Sequence, residues 1–296
     1  MNNAKEIRQK LINFARKINR PTEEALQYYA MERFLYRLSI SKYANKFFLK
    51  GGLMFKAWNY DDFRATKDID LLGKTDNSIA NIKTIFSHII SIKYPDGVEF
   101  HVDSIKVEPI QLLRKYNGMQ VKAKGKIDKS TIHIHVDIGF ADIIYPNPIS
   151  FSYPTILDMD SPKLYGYTIE SVIAEKVHAI IILGEINTRM KDFYDIWFLS
   201  NKYSFNGRKL AKAILNTFDR RKTKLGMEID IFSSNFIKNL QKHKLWNNFC
   251  LQNDIKQITF EKLMKDLQPF LLPVFKNIEN KKLVLDQWIV NKKKWK

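Results

Sequence analysis

Two aspartates separated by one residue, Asp68 and Asp70, have a spacing that suits metal-dependent chemistry. They belong to the segment 68–72 (DIDLL), whose apolar residues predict a β-strand. Residues two apart on a strand point to the same face, about 6–7 Å from each other. Because Mg²⁺ takes one or two protein carboxylates and completes its shell with water and phosphate oxygens, the pair predicts a site for magnesium and a triphosphate.

A third carboxylate lies in the segment 131–140 (TIHIHVDIGF), where apolar and polar residues alternate. The apolar positions are Ile132, Ile134, Val136 and Ile138, and the polar ones are His133, His135 and Asp137. If the apolar face packs on the core, Asp137 shares the open surface of the aspartate pair, as in two-metal phosphoryl chemistry. The two histidines lack a third nitrogen or sulfur ligand nearby, so we interpret them as cleft-lining residues and not as a zinc site.

Gly51 and Gly52 follow a short apolar strand at 47–49 and precede a helical pattern that begins at Leu53. Glycines at such a turn let backbone N–H groups approach an anion at the positive end of a helix. Lys50 adds a cation beside them. The dipeptide therefore predicts a phosphate site, although an ordinary tight turn has the same sequence pattern.

Charged residues cluster again around two predicted helices that are separated near a glycine. Arg189 and Asp192 are three apart, and Lys191 and Asp195 are four apart, so ion pairs along one helix face are one interpretation. The functional alternative places Lys176, Arg189 and Lys191 on a triphosphate, where developing negative charge needs fixed cations. Asp192 then positions or deprotonates an acceptor hydroxyl. Spacing leaves both alternatives open.

The periodicity predicts an α+β fold, with a mixed sheet and flanking helices followed by a basic α-helical domain. The predicted strands are 47–49, 68–72, 98–107, 119–126 and 131–138, and the last three extend the sheet in antiparallel fashion. The predicted helices are 3–18, 21–40, 78–92, 169–183, 190–201, 208–219, 233–245, 258–271 and 280–294. The Pro- and Tyr-rich stretch 145–165 is interpreted as the connection, which gives domains at 1–160 and 161–296.

The net charge of +18 over 296 residues is unevenly distributed. Residues 201–296 hold 21 Lys and Arg against 8 Asp and Glu. Such a balance favours a polyanionic partner, and a solvated lysine-rich surface is the alternative. The densest basic run, 220–222, is our candidate for phosphate contacts. The tryptophans of this part are interpreted mainly as core residues.

The single cysteine, Cys250, excludes an internal disulfide framework and multi-cysteine zinc sites, which fits a reducing compartment. The amino terminus has no apolar signal segment, and no stretch of 18 apolar residues occurs. We therefore expect a cytoplasmic protein with no membrane partner.

Three segments together, LKGGLMFKAWNYDDFRATKDIDLLG, HVDIGFAD and AEKVHAIIILGEINTRMKDFYDIW, resemble the AbiEii family of bacterial nucleotidyltransferase toxins in the polymerase-beta-like superfamily. The motifs occur in the family's order, and the resemblance covers roughly residues 45 to 200. By this resemblance, the metal-binding residues are Asp68, Asp70 and Asp137. The catalytic residues are Asp68, Asp70, Lys176 and Asp192. The nucleotide-binding residues are Lys50, Gly51, Gly52, Arg64, Thr66, Lys176, Arg189 and Lys191.

The resemblance implies a Mg²⁺-dependent enzyme that moves a nucleoside monophosphate from an NTP to an acceptor and so inhibits growth. Some family members modify the 3′ end of tRNA, which is the acceptor we expect here. A cognate antitoxin as partner and a part in phage defence are implied as well. Two alternatives are a non-catalytic basic nucleic-acid-binding protein and a nucleotidyltransferase that modifies a protein or small molecule.

Overall fold

The protein divides into two compact units in a computed structural model. The structure describes residues 4–58, 66–110, 118–225, 230–255, 258–282 and 286–296. Unit 1 comprises Met1–Ala141 and Pro148–Gly166, and unit 2 comprises Asp142–Asn147 and Tyr167–Lys296. The sequence places one division after residue 160, whereas contacts in the chain divide it after Gly166 and assign a short earlier segment to unit 2.

Unit 1 is built on a seven-stranded mixed sheet with flanking helices. Its strands are Phe47–Lys50 (β1), Ile69–Gly73 (β2), Val98–Ile110 (β3), Gly118–Ile127 (β4), Ser130–Gly139 (β5), Ile149–Ser152 (β6) and Lys163–Gly166 (β7). Its helices are Ala4–Lys17 (α1), Thr22–Ile40 (α2), Leu53–Ala57 (α3) and Ile79–Ser91 (α4). The strand order is β3-β4-β5-β2-β1-β7-β6. The pairs β2–β5 and β1–β7 are parallel, and the others are antiparallel.

The alternating pattern of β5 sets the two faces of this sheet. Its apolar residues from Ile132 to Ile138 are buried in the core, while its polar residues are exposed or half-buried. On the core side, α2 is held by a buried bidentate pair between Arg37 and Asp96, with N–O distances of 2.6 and 3.0 Å. The Tyr29 hydroxyl donates to the carbonyl of Asp96 at 2.8 Å. These contacts leave the opposite, polar face of the sheet to carry the charged residues.

Unit 2 is mainly helical. Its helices are Ile169–Leu183 (α5), Met190–Ser200 (α6), Gly207–Arg220 (α7), Ser234–Ile237 (α8), Leu240–Gln252 (α9) and Phe260–Glu279 (α10), and Trp288–Ile289 (β8) and Lys294–Trp295 (β9) form a short hairpin. Trp246 and Trp288 are buried, and the ring of Trp295 stacks on Phe270 at 5.6 Å between centroids. Aromatic residues thus pack the core of this unit.

Three element predictions are wrong. The stretch 145–165, interpreted as a connection, contains β6 and most of β7. β7 is short, and its parallel pairing with β1, which is distant in sequence, stabilises it. The predicted helix 233–245 is two helices, since the side chain of Asn239 accepts hydrogen bonds from the first backbone N–H groups of α9. A helix is predicted over 280–294, but its described residues from Trp288 onward belong to the β8–β9 hairpin, in which Trp288 donates its backbone N–H to the carbonyl oxygen of Phe205. None of the helices within the described ranges has the length and apolar character required to span a membrane.

Candidate active site

Gly51 and Asp70 form a close contact at the start of the candidate site. β1 and β2 are antiparallel, and their register places Lys50 opposite Asp70. Gly51 follows with φ of +67°, and a Cβ at this position would come within 2.6 Å of the carboxyl carbon of Asp70. Only glycine combines this backbone conformation with the space the carboxylate needs. The turn and the aspartate are therefore one structural unit.

Gly52 and Thr66 form a second close contact beside the first. A Cβ at Gly52 would lie 2.9 Å from the side-chain oxygen of Thr66. The backbone N–H of Thr66 donates to the hydroxyl of Tyr28 at 2.8 Å, which fixes the chain just before β2. The helix after the glycines, α3, has five residues. Arg64, which the sequence assigns to the same support, lies outside the described residues.

Asp137 lies directly beside Asp70 in the sheet. The parallel register of β2 and β5 pairs these two residues, and both side chains are half-buried on the polar face. The amide of Gln120 donates to Asp137 Oδ1 at 2.9 Å. Asp68 precedes β2 and is exposed, with its Oδ1 3.7 Å from Nδ1 of His135. Asp70 and Asp137 thus come from two adjacent strands, whereas Asp68, which the sequence places on the same strand as Asp70, lies just before β2.

These carboxylates fit magnesium by their chemistry. Carboxylate oxygens are the ligands that hard cations prefer. Within the part of the chain that the structure describes, no three His, Cys, Asp or Glu side chains form a group able to hold a metal ion. Because Mg²⁺ usually binds through one or two carboxylates plus substrate phosphates, Asp70 and Asp137 suit an ion that arrives with a nucleotide. A dedicated protein cage is not required for that role.

Lys176 lies between two buried aspartates in unit 2. Its Nζ is 3.1 Å from Asp192 Oδ1 and 2.5 Å from Asp195 Oδ2. Arg189 Nε contacts Asp192 Oδ2 at 2.7 Å, as predicted for a pair along one helix. The side chains of both aspartates are at most 2% exposed, whereas that of Arg189 is 43% exposed. Lys191 is on the exposed side of α6.

The charge state of Asp192 follows from these neighbours. Burial alone raises the pKa of its carboxyl, but the Lys176 and Arg189 cations outweigh burial and hold the pKa below its usual range. Asp192 is therefore an anion at neutral pH and a weak proton acceptor. For Asp192, this arrangement favours a role in positioning Lys176 over a role as general base.

Two contributors to this cluster are missed by sequence reasoning. Asp195 contacts Lys176, although its spacing suggests a partner on its own helix. A helix places residues three apart on one face, so Asp192 and Asp195 together indicate a shared cation on another element. Lys242 is buried and donates to the carbonyls of Glu185 and Asn187 at 2.5 and 2.6 Å. No local pattern reveals that contact, which braces the loop before Arg189.

His178, two residues after Lys176, has a structural environment. Its Nδ1 is 3.0 Å from Arg221, which can only donate, so Nδ1 accepts and the other ring nitrogen donates to Thr223. Arg221 also pairs with Asp142 at 2.7 Å. Arg221 is therefore engaged within unit 2, while its neighbours Arg220 and Lys222 are exposed. The polyanion contact predicted at 220–222 stays a prediction for those two exposed residues.

His178→Gln should reduce the acid sensitivity of the protein. Burial, assisted by Arg221, lowers the pKa of His178 from 6.5 to about 4. Between these two pKa values the unfolded state binds more protons than the folded state does. The free energy of unfolding therefore falls as the pH decreases through this window, by at most about 3 kcal/mol. Glutamine can keep both hydrogen bonds and does not titrate. Urea unfolding from pH 7 to pH 4 should show a smaller loss for the variant than for wild type.

The matched control is His88→Gln, which changes an exposed histidine in unit 1. It should keep the full pH dependence of the wild-type protein. An identical slope in wild type and His178→Gln would contradict a neutral buried imidazole.

The comparison with protein families agrees with the motifs. Residues 33–267 match the model of a family described as "Nucleotidyl transferase AbiEii toxin, Type IV TA system". Among solved structures, JHP933 from Helicobacter pylori is 14% identical, with 87% of this chain and 94% of that chain covered and a TM-score of 0.47. A second H. pylori protein, provisionally described as a nucleotidyltransferase, is also 14% identical, with 85% and 94% covered and a TM-score of 0.48. No curated protein matches the sequence significantly.

Proposed function

Because the chain belongs to the AbiEii family of nucleotidyltransferase toxins, we propose that it transfers a nucleoside monophosphate from an NTP to the 3′ end of RNA, with tRNA as the expected acceptor. The observation that carries this proposal is the placement of Asp70 between the Gly51 turn and Asp137. That placement combines a close-approach glycine turn with two adjacent carboxylates. Phosphoryl transfer requires both elements, one for positioning and one for charge.

In the proposed mechanism, Asp70 and Asp137 would hold Mg²⁺ together with the phosphates of the nucleotide, and Asp68 stays a predicted third ligand. When bound, the ion would neutralise charge on the triphosphate and fix its geometry. Gly51 and Gly52 bring backbone close to the phosphates, and Lys50, opposite Asp70 in the register, adds positive charge. Thr66 fixes the chain that leads into β2 through its contact with Gly52. The polar face of the sheet thus binds and orients the nucleotide.

In unit 2 we propose that Lys176, Arg189 and Lys191 act as phosphate-binding cations. Exposure of Arg189 and Lys191 supports this role. Asp192 and Asp195 fix the Nζ of Lys176 from two sides, so its charge is held in one position before a ligand binds. Preorganised charge of this kind stabilises a transition state without reorganisation during the reaction.

Charge distribution supports RNA as the acceptor. Residues 201–296 carry 21 basic against 8 acidic residues, which suits a polyanion and gives no advantage for a small neutral acceptor. A type IV toxin family also implies an antitoxin, and we propose a separate antitoxin chain as partner. Membership of an enzyme family argues against the purely binding alternative.

Asp70→Asn should abolish nucleotide transfer. The amide oxygen of asparagine carries no negative charge with which to bind the metal. Because the metal stabilises the transition state by several kcal/mol, its loss lowers the rate about 100-fold or more. The measurement is transfer of α-³²P-labelled NTPs to total RNA in the presence of Mg²⁺, followed by electrophoresis. Asp103→Asn, the same change at an exposed position of β3, is the control and should retain activity.

Three results of that assay separate the alternatives. Label on RNA that depends on Asp70 supports the proposal. Label on protein or a small molecule contradicts the RNA acceptor, and RNA binding without any labelling contradicts the enzyme.

Gly51→Ala should reduce transfer nearly as much as loss of Asp70. The new Cβ cannot share space with the Asp70 carboxyl, so the carboxylate must move from its place beside Asp137. Gly97→Ala is the matched control, because its φ of +71° imposes similar backbone strain and the nearest atoms to its new Cβ belong to Ala4 and Ile7. Both variants should lose stability in urea, and only Gly51→Ala should lose activity per folded molecule. Equal activity of the two variants would show that the contact with Asp70 has no functional role.

A further inference from the structure

A cavity of about 530 Å³ opens in unit 1 beside Asp68. The described residues that line it are Pro21, Glu23, Glu24, Gln27, Tyr28, Thr66, Lys67, Asp68, His133 and His135. Cavities of about 300–1,000 Å³ are typical of small-molecule sites. The proposed metal and phosphate roles account for only Thr66 and Asp68, so most of this lining has no assigned purpose.

The cavity lies beside the point where the pairing of β2 with β5 begins. The register of β2 and β5 begins at Ile69 and Val136, and the preceding part of β5 pairs with β4. Residues from the start of α2 line the same cavity. There the side chain of Gln27 donates to the carbonyl oxygen of His133 at 2.6 Å. The cavity is thus lined in part by a helix and a strand, and the core fixes the positions of both.

The cavity continues the face that carries the proposed metal ligands. Asp137, His135 and His133 are successive polar positions of β5 and share one side of the sheet. Asp68 lines the cavity and contacts His135. A group bound in the cavity would therefore lie next to the metal and phosphates bound at the carboxylates.

The lining selects the chemistry of the occupant. Among the described lining residues, Glu23, Glu24 and Asp68 outnumber the cation Lys67, and this excess of negative charge disfavours phosphate groups. Carboxylates and the Gln27 side-chain oxygen accept hydrogen bonds from amino and hydroxyl groups. The imidazole rings of His133 and His135 offer flat surfaces for stacking. An uncharged, flat group with several N–H and O–H donors matches all of these features.

We propose that this cavity binds the nucleoside part of a substrate, and this inference rests on the proposed nucleotidyltransferase function. The nucleoside has two sources in such a reaction, the incoming NTP and the terminal residue of the acceptor. Both present the same base and ribose donors. The site would make Gln27, Glu24 and His133 determinants of substrate preference and not of bond formation.

His133→Trp tests the proposal by filling the cavity. The probes are adenosine, guanosine, cytidine and uridine, which carry no phosphate, and binding is measured by saturation-transfer NMR without Mg²⁺. Wild type should bind at least one of them, and His133→Trp should weaken that binding at least tenfold. Absence of binding to wild type, or equal binding by the variant, would overturn the proposal.

The matched control is His101→Trp. The sheet register aligns His101, Lys124 and His133 across β3, β4 and β5, so the control makes the same change in the same row, two strands away. His101 does not line the cavity, and its variant should bind nucleosides like wild type. If His133→Trp does not fold, Glu24→Gln decides, because weaker binding supports the proposal and unchanged binding contradicts it.

Kinetics then identify the source of the nucleoside. A raised KM for the NTP with an unchanged KM for RNA assigns the cavity to the incoming nucleotide, and the reverse assigns it to the acceptor. A lower kcat with both KM values unchanged contradicts a binding role. The NMR result does not depend on catalysis, so a failure of nucleotide transfer and a failure of the cavity proposal are distinguishable.

Discussion

The contact between the Asp70 carboxyl and the backbone at Gly51 is the constraint on which the candidate site depends. Two strands must pair in one register for this contact to form, and the same strand, β2, must pair with β5 to place Asp137 alongside. The apolar side chains beneath fix both registers, since a shift of one residue would turn the acids toward the core. Hydrophobic packing on one face thus determines the charge arrangement on the other.

The carboxylates of the candidate site have different environments in the two units. Unit 1 places Asp68, Asp70 and Asp137 at half-buried or exposed positions, where a cation can reach them. Unit 2 buries Asp192 and Asp195 and balances them with Lys176 and Arg189, which keeps the pKa of Asp192 low despite burial. Removal of one partner from such a buried pair leaves an uncompensated charge. Asp192 therefore contributes to fold and cation position together.

Sequence reasoning succeeded where the determinant is local. Alternation in β5 predicted its buried and polar faces, and periodicity predicted α5 with the bounds 169–183. It failed where a distant contact decides the structure. β7 is too short to be recognised without its partner β1, and the pairing of Lys176 with Asp195 joins two helices. The cavity beside Asp68 is lined by residues from α2, from the segment before β2 and from β5, a combination that no single segment encodes.

Anomalous diffraction from crystals grown with Mn²⁺ and a non-hydrolysable NTP tests the central claim most directly. If the register of β1, β2 and β5 builds a metal site, a manganese peak lies within about 2.5 Å of carboxylate oxygens of Asp70, with Asp137 adjacent and the phosphates above Gly51. A peak distant from Asp70, or a nucleotide bound without contact to the Gly51 turn, would contradict it.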